Sequence, residues 1–526
     1  MATKMRLGGM VSGMDTDTIV KQMVEAKRSR SISFTKTKTK SEWKQEAYQS
    51  LNKDLANFIV DARKKLGLTN YSYNGKLYPN SIDKVSWGKK ADVSGDSFTA
   101  TASAGAFDGS MDVEVNRLAS TASVTGEVVQ KKADDTVGAD TQLKLEVNGE
   151  MKTVDLKAND TISSAMKKIK EATGLNVSFG KVGKSSDNKD VSMLMMSTKE
   201  SGAKQSIKST DTATQNFFQS LGVSTSTLND GVKGVNSKIK LNGKEIENES
   251  NNIDINGVQL TLKKADNVVN KVSVSADKDA IYDKIKEFVE GYNKIVKSMQ
   301  DKVKEKAFRS YEPLTDTERK ALSETEVKLW DEKAKSGLLN SDNTVGSILS
   351  NVRSGLYEKV EGAGSLFGLG ITTGTYQNGA VLQIDEKKLK NAIAKDPQKV
   401  LDTLFKSPDD IKDHPKNSAE GRAQRANTGV FVRVMEDMSN GITAIAKQSG
   451  VGNESSILQQ VKGNILSGVV KNSSILEKSL SELTKRIDDE NRKVEIFENN
   501  LWKKFSAMES AIQKMQSQTS WMNQQS

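Results

Sequence analysis

The chain is 526 residues long and carries a formal net charge of +10, from 78 basic and 68 acidic residues. It contains no cysteine, which excludes disulfides and thiolate metal sites. Its single histidine, His414, stands in a polar segment typical of a solvated loop, so catalytic triads and paired-histidine zinc sites lack their parts. No cofactor or metal site is predicted. No nucleic-acid partner is predicted either, because the excess positive charge is spread along the chain. Hydrolysis by a pair of carboxylates stays open, because every soluble protein has many Asp and Glu residues. Nothing in the sequence singles out one pair.

No secretory signal or membrane span is expected. The basic residues Lys4 and Arg6 precede only the short, glycine-broken segment 7–10, and no run of 18 apolar residues occurs. The chain is therefore expected to be cytoplasmic or exported by a route without a cleaved signal. Its length predicts several domains of about 100–200 residues each.

The N-terminal region predicts two helical stretches. Asp15 and its neighbours can cap a helix that carries Ile19, Val20, Met23 and Val24. Residues 29–42 are rich in Ser, Thr and Lys and are unfavourable for a continuous helix. A second apolar stripe then follows, made of Trp43, Ala47, Leu51, Leu55, Phe58, Ala62 and Leu66, with Gly67 as a helix stop.

From about residue 71 the apolar period changes from four to two, which predicts β-strands. Asn148-Gly149, Asn242-Gly243 and Asn256-Gly257 each stand between alternating apolar residues and predict two-residue hairpin turns. One short helix is predicted to open at Asp160 or Thr161 and to end at Gly174.

Helical periodicity returns near Asp277 and continues to Val303. A capping box at Thr315 and Glu318 precedes a further helix, and other helices are predicted around residues 345–356, 389–393 and 434–445. The pair Asn440-Gly441 is a weak point in the last of these. A hairpin is predicted at residues 378–379, a loop at 407–428 and a connector at 449–474.

The last fifty residues form one long amphipathic stripe. Every seventh position is apolar: Leu480, Ile487, Val494, Leu501, Met508, Met515 and Met522. Leu476, Leu483 and Phe497 fill the companion row, Glu490, Lys504 and Gln518 break it, and Phe505 and Ile512 take over one residue later. This drift is typical of a continuous helix, which needs a partner helix to bury so narrow a stripe.

The order helix, strand, helix predicts an α+β multidomain fold. Terminal helices are expected to form a coiled-coil or helical-bundle stalk that carries β-rich head domains, although the same order could also give separate domains along the chain. The predicted segments are terminal coiled coil (1–40 and 473–526), helical-bundle leg (41–70 and 277–472), β-rich head (71–120 and 232–276) and a β-rich tip with one short helix (121–231).

Residues at both ends of the chain carry a family resemblance. Residues 12–21 read SGMDTDTIVK and residues 505–509 read FSAME, with further matches at 43–51, 98–119, 251–258, 285–293, 311–315, 369–371 and 384–389. With these, the sequence resembles the flagellar filament-capping family, also called hook-associated protein 2. Residues 121–230 resemble it only through a repeat at 159–177 that is found in flagellar axial proteins. The proline usual after the family's first helix is absent, and residues 29–31 read SRS instead.

The resemblance implies a non-enzymatic assembly factor that is exported unfolded through the flagellar channel. Family members form a ring, here expected to hold five or six subunits, at the distal filament tip outside the cell. There they retain flagellin and help it fold and insert. The implied partners are further copies of the chain, flagellin, the export apparatus and an export chaperone, without membrane insertion.

The candidate assembly residues are apolar positions of the two terminal helices. They are Ile19, Met23, Leu476, Leu480, Leu483, Ile487, Val494, Phe497, Leu501, Phe505, Met508, Ile512, Met515 and Met522. Whether each packs within the chain or between chains stays open. The three C-terminal methionines are expected to face outward, because methionine adapts to imperfect partners. Alternatives are another flagellar axial protein, such as a junction protein or flagellin, or an adhesin whose β-rich tip binds a host-surface ligand.

Overall fold

The structure is a computed structural model that describes residues 13–71, 77–374, 379–407, 418–452, 455–462 and 474–525. The chain divides into two compact units, Met1–Ser81 with Tyr282–Ser526, and Ile82–Ile281. Long helices dominate the first unit and sheets dominate the second. The predicted α+β fold, with helical chain ends around a β-rich middle, is confirmed. The finer division into four segments stays a prediction.

The helices of the described residues run in chain order as follows. They are α1 (Thr16–Lys65), α2 (Ile162–Thr173), α3 (Thr212–Gln219), α4 (Thr225–Asp230), α5 (Lys278–Lys304), α6 (Asp316–Lys320), α7 (Glu324–Lys335), α8 (Asn343–Tyr357), α9 (Glu386–Lys395), α10 (Pro397–Phe405), α11 (Ala419–Ala426), α12 (Val430–Ser449), α13 (Ser455–Lys462) and α14 (Ile475–Gln525). None of these helices combines the length and apolarity that crossing a lipid bilayer requires.

The strands pair in antiparallel sheets. They are β1 (Thr69–Tyr71), β2 (Leu77–Pro79), β3 (Lys89–Val93), β4 (Phe98–Ala102), β5 (Gly109–Arg117), β6 (Thr121–Thr125), β7 (Thr141–Val147), β8 (Glu150–Leu156), β9 (Asn176–Lys184), β10 (Asp190–Ser201), β11 (Ser206–Lys208), β12 (Val232–Lys233), β13 (Ser237–Leu241), β14 (Lys244–Asn248), β15 (Asn252–Ile255), β16 (Val258–Leu262), β17 (Val269–Ala276), β18 (Ile371–Thr373) and β19 (Leu382–Ile384). Within the first unit, β1 pairs with β2 and β18 with β19.

The N-terminal helix is continuous, so the predicted weakness at residues 29–42 is wrong. Hydroxyl side chains in this stretch donate back to the carbonyl four residues earlier, as Thr35 does to Ser31 (3.0 Å) and Thr37 to Ser33 (2.9 Å). These bonds satisfy the polar side chains without breaking the backbone ladder. Contacts with α14 and α12 along its length supply the stability that propensity does not.

An aromatic cluster lies at the centre of the helical unit. Phe288 of α5 stacks on Phe431 of α12 with ring centroids 4.1 Å apart, and Phe405 meets both rings edge-on. Phe58 of α1 joins from the other side, 5.6 Å from Phe288. Offset and edge-to-face contacts of this kind add to the area that the rings bury. The cluster ties helices from both chain ends into one core.

Helix α12 runs without a break through Gly441, so the predicted weak point is wrong as well. A Cβ atom at this position would lie 2.8–3.0 Å from three side-chain atoms of Ile348 on α8. The glycine therefore allows α8 and α12 to approach closely, and this packing offsets its poor helix propensity. Two segments expected to be irregular also contain helices, α11 and α13, whose lengths of eight residues are too short to show a clear period.

The second unit contains two separate apolar clusters. One lies between the sheet β14-β13-β5-β17-β3 and the sheet β15-β16-β4, and includes Phe98, Val113 and Leu260. The other is built by residues 122–228 and lies among the sheets β6-β10-β9 and β12-β11-β7-β8 and the helices α2, α3 and α4. The tip was predicted to hold one helix, and α3 and α4 correct that number.

The hairpin and cap predictions are confirmed wherever the structure describes them. Asn148, Asn242 and Asn256 all adopt positive φ angles of 46–53° and close hairpins between paired strands. Thr161 caps α2, which ends at the left-handed Gly174. The capping box at Thr315 is formed in both directions. Residue 378 and the loop at 408–417, including the single histidine, lie outside the described residues.

Candidate assembly site in the terminal helix pair

The two terminal helices pack on each other within one chain. Val20 and Val24 of α1 form a buried cluster with Val494 and Leu501 of α14, and Phe497, Trp502 and Phe505 pack against it. Farther along, the Ser31 hydroxyl donates to Asn491 Oδ1 (2.6 Å). Residue numbers rise along α1 as they fall along α14, so the pair is antiparallel. We call residues 16–40 together with α14 the stalk.

The predicted assembly residues differ in how far this pairing covers them. Val494 and Leu501 are buried, whereas Ile19 and Met23 are 36% and 42% exposed. Met515 is 58% exposed, and the Met522 side chain lies outside the described residues. The others are half-buried: Leu476, Leu480, Leu483, Ile487, Phe497, Phe505, Met508 and Ile512. Their role in assembly stays a prediction.

Val20 and Val24, rather than Ile19 and Met23, make the contact of α1 with α14. Both belong to the predicted first helix, but sequence periodicity over one short stretch did not show which of two adjacent apolar rows faces the partner. Ser31 and Asn491 were missed entirely, because a hydrogen bond between a buried hydroxyl and an exposed amide leaves no apolar signal. The break in the companion row at Glu490 was the one available sign.

Charge complements the apolar contact. Two basic residues of α1, Lys27 and Arg30, lie close enough to Glu490 of α14 for their charges to act on it. The Lys493 ammonium donates to Glu490 Oε1 (2.8 Å), and the charges of Arg30 and Lys27 add to this bond. Together they hold the pKa of Glu490 below its usual range, so the buried carboxylate stays ionised at neutral pH.

Polar contacts fix α1 beyond the stalk and the start of α14. Tyr48 of α1 donates its hydroxyl to Asp342 Oδ2 (2.5 Å), and Lys44 pairs with the same carboxylate at 3.1 Å. Asp342 also caps α8, accepting from the backbone N–H groups of Thr344 and Val345. At the start of α14, Ser474 and Glu477 form a reciprocal capping pair. Specific hydrogen bonds therefore fix α1 just beyond residue 40 and cap the first turn of α14.

The described residues offer little that resembles a catalytic site. No group of three or more His, Asp or Glu side chains among them could hold a metal ion. A groove of about 450 Å³ separates α1 from α5, but Lys65 and Glu287 on its rim pair with each other at 2.9 Å. Its floor is apolar, formed partly by Phe58 and Phe288.

The family models supply the identification. The model described as flagellar hook-associated protein 2 N-terminus matches residues 12–122, and the corresponding C-terminus model matches residues 234–517. The chain belongs to the flagellar hook-associated protein 2 family. The family resemblance inferred from the sequence is thereby confirmed, and the two matches include α1 and α14 as far as residue 517. Most of the predicted tip lies in the unmatched interval between them.

Relatives and solved structures agree with this membership. The flagellar hook-associated protein 2 of Halalkalibacterium halodurans is 27% identical over 568 residues, covering 99% of each chain. The protein of that name from Thermotoga maritima is 27% identical, over 77% of this chain and 59% of its own length. The D1-D2-D3 domains of the flagellar cap protein FliD from Escherichia coli align with a TM-score of 0.50 at 20% identity, over 75% of this chain and 95% of theirs. That likeness shows the shared fold.

Proposed function

We propose that this chain is a non-enzymatic filament cap. In this proposal it forms a ring of five or six copies at the distal tip of the flagellar filament, retains flagellin and promotes its folding and insertion. It reaches the tip unfolded through the flagellar channel, by way of the export apparatus and an export chaperone, without a cleaved signal. Family membership and the shared fold of the Escherichia coli flagellar cap protein support this proposal.

The observation that carries the proposal is the incomplete cover of the α14 stripe. The stripe continues beyond the buried Leu501 through Met508 and Ile512 to Met515, which is 58% exposed. On α1, Ile19 and Met23 are also exposed. A helix pair with apolar positions left open is suited to bind further helices, from other copies or from the terminal helices of filament subunits. Methionine tolerates partners of changing shape, which suits a cap that moves as subunits are added.

A charged substitution in the open stripe tests this function. We expect Met508→Glu combined with Met515→Glu to release flagellin into the medium and to shorten filaments when it replaces the natural chain in a motile strain. The matched control is Lys514→Glu, which adds a carboxylate at an exposed position of the same helix. Filaments of normal length in the double variant would contradict the proposal, provided that the variant is exported at the normal level.

Position on the filament separates the cap from another axial protein. Because the chain has no cysteine, one cysteine at the exposed Lys204 accepts a single thiol-reactive dye. We expect fluorescence only at the distal filament tip. Signal along the shaft or at its base would instead identify a flagellin or a junction protein.

A further inference from the structure

The apolar stripe of α14 cannot by itself fix how α14 aligns with α1. Every seventh residue from Leu480 to Met522 is apolar, so a shift of seven residues offers α1 a nearly equivalent row. The valines Val20 and Val24 would find apolar partners in either register. Two copies of α14 could also pair through the same stripe. Something besides the stripe must therefore select one alignment.

A polar layer interrupts the stripe at one height of the stalk. Ser31 is 6% exposed and donates to Asn491, and Glu490 is 8% exposed although it occupies a stripe position. Lys27 reaches across the helix interface, with its ammonium 5.9 Å from the centre of the Phe497 ring, and its charge and that of Arg30 act on Glu490. A buried polar or charged group is tolerated only where its partners are present, which is how single polar positions specify register and partner in coiled coils.

The geometry points to Glu490 and Ser31 as positioning residues that select the register and the partner of α14. We propose that Glu490, facing Lys27 and Arg30, together with the Ser31–Asn491 hydrogen bond, holds α14 in a single antiparallel alignment with α1 of its own chain. A slip of seven residues moves the Glu490 carboxylate about 10 Å along the stalk, away from both cations. Parallel pairing of two α14 helices sets Glu490 against its own copy. The slip leaves the buried carboxylate only Lys493 of its own helix as a partner, and parallel pairing adds a second buried carboxylate beside it.

This selection determines which part of the stripe remains uncovered. With Ser31 opposite Asn491, the described part of α1 ends near the level of residues 506–509, and Met515 lies beyond it. A slip of one heptad would cover or uncover about two further helical turns. The polar layer therefore sets the length of apolar helix that is available to other chains. This inference holds whether or not the chain acts as a cap.

Introduced cysteine pairs in the full-length chain can report the register, since the chain has no cysteine of its own. Val20→Cys with Leu501→Cys reports the observed register, because the two residues share one buried cluster. Val20→Cys with Val494→Cys, or with Met508→Cys, reports a slip of seven residues in either direction. In the otherwise unchanged chain we expect the first pair to form a disulfide within the chain and to exceed each slipped pair.

Charge reversal then tests the selection. Glu490→Lys is expected to lower the ratio of native to slipped disulfide by at least about ten-fold, because it sets a new cation beside Lys27, Arg30 and Lys493. The matched control is Asp489→Lys, since that side chain is 63% exposed, and it should change the ratio by less than about two-fold. Adding Lys27→Glu and Arg30→Glu to Glu490→Lys restores the opposite charges and should restore the native ratio.

The rescue distinguishes register selection from a general loss of folding. If Glu490→Lys and Asp489→Lys lowered the ratio equally, or if the triple reversal failed to restore it, the proposal would be overturned. If the Val20→Cys and Leu501→Cys pair formed disulfides between two chains, the proposal that α14 pairs with α1 of its own chain would be overturned. These outcomes are measured on purified protein by non-reducing electrophoresis and mass spectrometry, so they do not depend on filament assembly.

Discussion

Substitution of Gly441 by alanine measures how tightly α8 and α12 pack. In an unconstrained helix this change stabilises by about 1 kcal/mol, because alanine has the better helix propensity. Here the added Cβ atom would lie 2.8 Å from Cγ1, 2.9 Å from Cδ1 and 3.0 Å from Cγ2 of Ile348. Ile348 is 3% exposed and β-branched, so it cannot rotate away easily. Overpacking of this kind costs about 1–3 kcal/mol, and we expect a net destabilisation of about 1–2 kcal/mol.

Gly346 on α8 offers the matched control, because a Cβ atom there would meet nothing within 4 Å. Gly346→Ala should stabilise the helical unit by up to about 1 kcal/mol, opposite in sign to Gly441→Ala. Ile348→Ala removes all three clashing atoms and alone costs about 2–5 kcal/mol. In the double variant with Gly441→Ala the new methyl group fills part of that cavity, so the two costs should fall short of additivity by about 1 kcal/mol or more.

Hydrogen exchange in peptides from α8 and α12 provides the assay, because a chain of two units need not unfold in one step. Thermal unfolding followed by circular dichroism gives the sign independently. If Gly441→Ala protected these helices as well as Gly346→Ala does, the close approach would not be rigid and the argument from Ile348 would fail.

Three further substitutions test the polar and apolar contacts of the helical unit. The side chain of Asp437 is 0% exposed and accepts two hydrogen bonds from Arg425. Asp437→Asn should therefore lower the free energy of unfolding, measured by chemical denaturation, by about 3 kcal/mol, whereas loss of an exposed ion pair would lower it by less than about 1 kcal/mol. Burial raises the pKa of Asp342, but hydrogen bonds from Tyr48 and its other partners outweigh burial and hold that pKa below its ordinary value. The ionised Asp342 therefore stabilises the folded chain above about pH 4, and this contribution is lost as the pH falls through the lowered pKa. The difference in melting temperature between the natural chain and Asp342→Asn should narrow on acidification. A constant difference would contradict the reasoning. Leu501→Ala should cost about 2 kcal/mol, the lower end for a buried leucine because the stalk is thin, and faster hydrogen exchange confined to the stalk would verify it.

The sequence predicted most of the elements that depend on local pattern. The Asn-Gly turns required positive φ, which few residues adopt, and all three were found. Predictions that needed knowledge of neighbouring elements were the ones that failed. Gly441 suggested a break in α12 because glycine has a poor helix propensity. The helix is nevertheless continuous there, and the glycine is needed because Ile348, 93 positions away, packs closely against it. The prediction for the Ser- and Thr-rich stretch of α1 was wrong for the same reason. That part of the helix is stabilised by contacts with α14, at the opposite end of the chain.

The candidate site was predicted less completely than the fold. Periodicity identified the α14 stripe and its need for a partner, but apolar residues of similar size do not encode which row faces that partner. Val20 and Ile19 differ by one position and by almost nothing in chemistry, although one is 2% and the other 36% exposed. Only the three-dimensional pairing distinguishes them.

Polar contacts supply the specificity that repeated apolar stripes lack. The Ser31–Asn491 bond joins residues 460 positions apart, and the Tyr48–Asp342 bond joins residues 294 apart. Each links α1 to one particular partner helix at one particular height. Apolar contacts would give similar free energies in several alignments, whereas a misplaced buried hydrogen-bonding group loses its partner outright. We therefore expect apolar replacements at Ser31 and Glu490 together to preserve or increase the helicity of the stalk while admitting slipped and intermolecular pairings, a combination that a contact serving stability alone would not produce.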